Sequence, residues 1–165
     1  MSVDIAIFYL KLRFIVQDLP NQEAIFDARV PSDLRFRISF QAHDFFAPQP
    51  TKDADVYLLS SVLHSWSDEL AAKILRQLLP AIKPNSRILL FEGVMGEFGD
   101  VSNAQMRFTK TADLTMLALL NGKERTRDNC TMLVKSVDEK LMVKNVVRPT
   151  VGGPKWLIEV GFRDS

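Results

Sequence analysis

Three residues able to do chemistry stand where apolar runs break into turns: Asp18 after Phe14–Gln17, Asp44 in His43-Asp44-Phe45-Phe46, and His64 shortly after Asp55–Leu59 (DVYLL). An imidazole of ordinary pKa, about 6.5, is neutral enough at pH 7 to take a proton from a hydroxyl, so His64 is a candidate general base. The plain alternative is a polar histidine closing a strand. Asp18 reads either as a hydrogen-bond acceptor for a ligand or as the acid capping the next helix, and Asp44 as an acceptor or as a loop acid beside two core phenylalanines. The single cysteine, Cys130, excludes an intrachain disulfide and lacks metal-ligand spacing. No metal site is expected, and a reducing compartment, the cytoplasm, is the natural home.

The elements that must position these residues follow from period and punctuation. Arg13–Gln17 is a β-rich run, and Pro20 suits the first turn of a helix over Asn21–Arg29. Arg35–Phe40 alternates charged and apolar residues and reads as a strand; Asp55–Leu59 reads as a buried one. Ser67 is a good N-cap, with Asp68 and Glu69 in the first turn and Leu70, Ile74, Leu75 and Leu78 on one face before Pro80. Arg87–Val94 (RILLFEGV) has the near-continuous apolar character of a strand covered on both faces. Ala104–Leu120 carries apolar residues at helical spacing up to Asn121-Gly122, and Thr126 caps a short helix reaching Ser136. Lys140–Val147 and Trp156–Phe162, joined through the turn residues Gly152-Gly153-Pro154, read as an antiparallel pair.

Strands alternating with helices imply an α/β fold: a Rossmann-like, doubly wound, mostly parallel sheet ending in a C-terminal antiparallel hairpin. Ligands bind such sheets outside the carboxyl ends of the strands, where Asp18, Asp44 and His64 lie. With 165 residues, 47% of them hydrophobic and 25% charged, the chain is sized and composed as one globular domain, 1–165. Its 21 basic and 20 acidic residues are interspersed, which gives nucleic acid no support as a partner. The apolar stretch Ile5–Val16 is interrupted by Lys11 and Arg13, so neither a signal peptide nor a membrane span is expected.

Six blocks taken together are more specific than any one alone: FIVQDLP (Phe14–Pro20), HDFF (His43–Phe46), ADVYLLSSVLHSWSDE (Ala54–Glu69), AIKPNSRILLFE (Ala81–Glu92), DLTMLALLNGKERT (Asp113–Thr126) and LIEV (Leu157–Val160). In this order and spacing they resemble the S-adenosylmethionine-dependent O-methyltransferases of the plant and fungal small-molecule type, the caffeate, flavonoid and sterigmatocystin enzymes among them. The resemblance runs from Phe14 to the end of the chain and implies the C-terminal catalytic part of such an enzyme. It implies S-adenosylmethionine as cofactor, with Asp18 accepting from the ribose hydroxyls. Asp44 would accept from the adenine amine while Phe45 packs on the ring, Trp66 would complete the pocket, and Ser60 would lie beside it. His64 becomes the base that removes a proton from a substrate hydroxyl, flanked by Glu124 and Glu159. The methyl acceptor is then a small hydroxylated metabolite, phenolic or polyketide-like, with Met116 and the Asp113–Leu120 helix as pocket walls.

Departures from the family pattern are equally readable. Its glycine-rich strand and turn should precede FIVQDLP, whereas glycine occurs here only at 93, 96, 99, 122, 152, 153 and 161. The N-terminal helical domain through which full-length relatives form homodimers is also missing, so residues 1–165 are expected to form a partial domain, truncated at its N-terminus. Val3, Ile5 and Ile7 alternate as a substitute strand would, but the stub is read as the remnant of a helix. Ser60 stands in place of a Lys or Arg, and Ser65 in place of an Asp, both removing charge. Two further readings remain: an inactive remnant or partner-binding module with an exposed sheet edge, and a Rossmann-like domain for another nucleotide.

Overall fold

The computed structural model describes residues 1–96, 99, 101–148 and 155–163. They fall into two compact units, Met1–Pro50 and Thr51–Ser165.

In the first unit, helix α1 (Ser2–Phe8) precedes strand β1 (Phe14–Asp18), helix α2 (Glu23–Arg29) and strand β2 (Ile38–Ala42). The stub is thus a helix, with Ala6 fully buried. Pro20 opens a single 3-10 turn that leads into α2. β1 and β2 run parallel from Phe14 opposite Ile38 to Asp18 opposite Ala42, so both strands finish at one level. Ala6, Val30, Leu34 and Ile38 form the core, with Val3, Phe14, Val16 and Phe26 packed around it.

β2 starts later than the charged-apolar alternation predicts. Ser32–Leu34 forms a 3-10 turn that Arg35 closes, and Arg37 turns inward. Its guanidinium donates to the carbonyls of Ala6 (2.9 Å), Tyr9 (3.2 Å) and Leu12 (3.3 Å), satisfying acceptors at the end of α1 where a cation is favoured.

The second unit contains β3 (Val56–Ser60), α3 (Asp68–Leu78), β4 (Arg87–Met95), α4 (Asn103–Leu120), β5 (Arg125–Thr126), α5 (Arg127–Val137), β6 (Leu141–Val147) and β7 (Lys155–Phe162). The sheet order is β3-β4-β7-β6, and two-residue β5 joins the end of β4. β3 and β5 run parallel to β4, whereas β7 is antiparallel to both β4 and β6. The C-terminal pair is therefore antiparallel as predicted; its turn, Gly152-Gly153-Pro154, lies outside the described residues.

Burial alternates strictly along β4. Ile88, Leu90, Glu92 and Val94 are buried, while Leu89, Phe91, Gly93 and Met95 are half-buried, so the strand is covered more completely on one face than the other. α3 is capped by the Ser67 hydroxyl, which accepts from Leu70 N–H. Its buried stripe runs through Ala71, Ile74, Leu75 and Leu78. Leu70, predicted to lie on that face, sits at its margin and is exposed. α4 ends at Asn121 in the left-handed conformation (φ 53°), with Asn121 and Gly122 N–H returning to the carbonyls of Leu117 and Met116. Thr126 and Asn129 form a reciprocal cap on α5.

Candidate active site

His64 sits on a 3-10 turn, Leu63–Ser65, that follows β3. Its Nδ1 lies 3.0 Å from Glu124 Oε1. A carboxylate only accepts, so Nδ1 carries the proton in this pair and Nε2 is left as the basic nitrogen. His64 retains 20% side-chain exposure and Glu124 only 7%. The imidazole is thus both reachable and backed by a buried acid.

Everything around this pair holds the two chain segments together. His64 O accepts from Lys123 N–H at 2.9 Å. The buried Arg125 guanidinium donates to Leu63 O (2.7 Å), Trp66 O (2.9 Å) and Asp68 Oδ1 (2.9 Å), and Lys123 also pairs with Asp68. Asp113 on α4 accepts from Glu124 N–H at 2.9 Å and sets the approach of that residue. The blocks HSWSD and NGKERT are two halves of one lock.

Two glycines are required by this closeness. A Cβ on Gly122 would meet His64 O at 2.2 Å, and one on Gly93 would meet Glu124 Oε2 at 2.4 Å. Burial pushes the Asp68 carboxyl up, but hydrogen bonds from Lys123 and Arg125, with their charges, outweigh it and hold the group below its ordinary value.

Glu159 does not join this cluster. On β7 it stands opposite Leu89, and its carboxylate pairs with Arg87 Nε at 2.7 Å near the start of β4. The Glu124 carboxylate lies over Gly93, four residues further along β4, or about 13 Å at the rise of a strand. The acid that does stand beside the His64 turn is Glu92. Its Oε1 accepts from Val62 N–H (2.9 Å) and Leu63 N–H (3.0 Å), and only 5% of the residue is exposed. Sequence reasoning missed it, although its parity with Ile88, Leu90 and Val94 places an acid on the buried face of an apolar strand.

Ser60 ends β3 opposite Phe91, and Ser61 follows with φ 55°. Lys155 from β7 contacts the Ser61 hydroxyl and lies 5.5 Å above the Phe91 ring. A cation thus stands close to the position where Ser60 removes one. Trp66 is half-buried, and its carbonyl belongs to the Arg125 lock.

The first unit brings its own candidates together. Asp18 and Asp44 lie at the carboxyl ends of paired strands, joined by His43 N–H donating to Asp18 O at 2.9 Å. Each carboxylate is exposed and accepts one nearby backbone N–H, Asp18 from Leu19 (2.8 Å) and Asp44 from Phe46 (2.9 Å). Phe45 is 38% exposed and packs edge-on against Phe46, 5.1 Å between centroids. Burial lowers the neighbouring His43 pKa, with Asp44 opposing. Among the described residues, no group of three His, Cys, Asp or Glu side chains is placed to hold a metal ion.

Comparison with known proteins places the chain in a family. The family described as an O-methyltransferase domain matches residues 2–137. O-methyltransferase aoiF of Aspergillus oryzae is 39% identical over 98% of this chain and 39% of its own length. LepI in complex with SAM matches with a TM-score of 0.85 at 25% identity, over 98% of this chain and 39% of that one. NcsB1, from neocarzinostatin biosynthesis, solved with S-adenosylmethionine and 2-hydroxy-5-methyl naphthoic acid, matches with a TM-score of 0.80 at 25% identity, over 97% and 44%. The chain spans about two fifths of the lengths of these proteins. By the extent of the family match and the order of its blocks, the chain belongs to the O-methyltransferase domain family.

Proposed function

We propose that this chain carries the catalytic part of an enzyme that moves a methyl group from S-adenosylmethionine to a hydroxyl of a small phenolic or polyketide-like metabolite. The observation that carries the proposal is the His64–Glu124 pair, a partly exposed imidazole whose Nδ1 lies 3.0 Å from a buried carboxylate oxygen. When bound, S-adenosylmethionine supplies an electrophilic methyl on a sulfonium. His64 Nε2 accepts the proton of the attacking hydroxyl, and Glu124 stabilises the imidazolium that results.

The donor set of the first unit suits the cofactor's nucleoside. Asp18 offers a carboxylate to the ribose hydroxyls, and Asp44 offers one to the adenine amine with the Phe45 ring beside it. The hydroxynaphthoate bound by NcsB1 supports an aromatic hydroxyl as acceptor class. Glu159 has no part in the proposal, since Arg87 engages its carboxylate.

The test has two parts: calorimetry of the chain with S-adenosylmethionine, and transfer of labelled methyl to a panel of hydroxylated aromatics. His64→Ala is expected to keep cofactor binding and to lower transfer by about 10²- to 10⁴-fold, the usual contribution of a positioned base. Unchanged transfer by His64→Ala overturns the role of the base, and absent cofactor binding at millimolar ligand overturns the activity of this chain. A second reading, a module that acts by binding a partner, is favoured by the exposed apolar residues of α4, Leu114 and Leu119 among them.

A further inference from the structure

Side chains two apart on a strand share a face, and Phe91 and Gly93 mark the half-buried face of β4. A Cβ on Gly93 would run into the Glu124 carboxylate, so the His64–Glu124 pair lies over that face. Lys155, the first residue of β7, stands opposite Gly93 in the antiparallel register, and its ammonium lies 5.5 Å from the centre of the Phe91 ring. Two residues of strand measure about 7 Å. A cation is therefore held roughly the length of a small aromatic molecule from the carboxylate that backs the imidazole. The Lys155 ammonium donates to the Ser61 hydroxyl. Ser61 itself adopts the left-handed conformation (φ 55°), with its N–H donating to Phe91 O at 3.1 Å. A non-glycine residue in that region is uncommon, and here it directs a hydroxyl at a cation.

Among the described residues no carboxylate lies within ion-pair distance of Lys155. Lys155 is nevertheless half-buried. An ammonium so placed gives up hydration that a ring face and a neutral hydroxyl restore only in part, and an anion would restore the rest. One of its three N–H donors goes to Ser61, which leaves two for a ligand. We propose that Lys155, steadied by Ser61 and Phe91, is a specificity residue that receives a carboxylate of the methyl acceptor, so that the acceptor class narrows to hydroxylated aromatic acids. The inference rests on His64 as the end of the site that meets the hydroxyl, and it supplies the other end. S-adenosylmethionine also bears a carboxylate, but beside an ammonium of its own. A lone cation therefore gains more from an acceptor of net negative charge.

The test reads binding and does not need turnover. The chain, saturated with S-adenosylhomocysteine, is titrated by calorimetry with para-hydroxybenzoate and para-hydroxycinnamate, acids of two lengths, each beside its neutral amide. At least one acid is expected to bind about tenfold or more tighter than its amide, as a charge-assisted hydrogen bond provides, and this preference is expected to shrink as salt is raised. Lys155→Met, which keeps the apolar stem, is expected to erase the preference. Lys155→Arg, which keeps the charge and serves as the folded comparison, is expected to retain a preference of about threefold or more. S-adenosylhomocysteine affinity is expected to stay within about twofold in both variants. A wild-type chain with no preference for either acid, or a preference that survives Lys155→Met, overturns the proposal. So does a loss of S-adenosylhomocysteine affinity in Lys155→Met as large as the loss for the acid, which would assign the cation to the cofactor. Retained transfer by His64→Ala removes the base and leaves the acid preference intact, whereas a preference indifferent to Lys155 removes this inference and leaves the base.

Discussion

The proposed function depends on how closely an imidazole and a carboxylate are held, and Gly93 is the residue that admits the carboxylate. A methyl group there would sit 2.4 Å from Glu124 Oε2, nearer than real Cβ atoms approach. Gly93→Ala is therefore expected to displace Glu124 from His64 and to lower transfer by about 10²-fold or more, while leaving S-adenosylmethionine affinity within about threefold. Parallel calorimetry and rate measurements check this, and a Gly93→Ala enzyme with unaltered rate contradicts the assigned geometry. At this scale the sequence was legible where residue types declare themselves in order. His64 and Glu124 were found together because their two blocks stand out, although sixty positions separate them. Glu159 was misplaced because sequence gives an edge-strand acid no register, and Arg87 claims it. Glu92 was missed because its partners are backbone amides, which no residue pattern displays.

Among elements, the critical piece is β5, only two residues long and unforeseen. It places Arg125 under the turn that bears His64. Arg125→Ala removes the guanidinium from the Trp66 carbonyl, from Asp68 and from Leu63 O, which keeps only Trp66 N–H at 3.2 Å, at about 1–3 kcal/mol for a buried group left without a donor. An overall loss of about 2–4 kcal/mol is expected from chemical denaturation, read as a lower midpoint at unchanged slope. Asp68 should show the lock's response to acid. Its folded carboxyl is held below the ordinary value, so the stability it contributes is present above the unfolded carboxylate's pKa, about 3.9, and is lost as pH falls through the folded value. The stability gap between wild type and Asp68→Asn is thus expected to be constant near neutrality and to close in strong acid. Denaturation series at several pH values measure it, and a gap that widens on acidification refutes the assignment. The helices were legible because their caps are local, as with Ser67 and Thr126. The start of β2 was not, because burial of Arg37 depends on carbonyls at the end of α1, remote in sequence.

On the scale of the whole molecule, apolar surface is the dominant feature. α4 runs eighteen residues with only Thr109 buried, while Phe108, Leu114, Leu117, Leu119 and Leu120 remain exposed, Leu119 by 73%. No helix among the described residues is long and apolar enough to cross a membrane, so a bilayer-spanning role does not account for them. Exposed apolar side chains in this number suit a contact surface. The chain is expected to self-associate with rising concentration by light scattering, and Leu114→Lys with Leu119→Lys to reduce that association without altering the His64 tautomer. A wild-type chain monomeric at high concentration argues against a docking role for this helix.

The interlock between Leu63–Asp68 and Lys123–Arg125 also bears on how the protein acquires its shape. Its contacts close loops of 57 to 62 residues, an entropic expense that local helices avoid. Such contacts are expected to consolidate after the rate-limiting barrier, in which case Arg125→Ala quickens unfolding in stopped-flow experiments while refolding keeps its pace, and slowed refolding contradicts it. The pairing of His64 with Glu124 would then be the last feature this chain gains on folding and the first it surrenders.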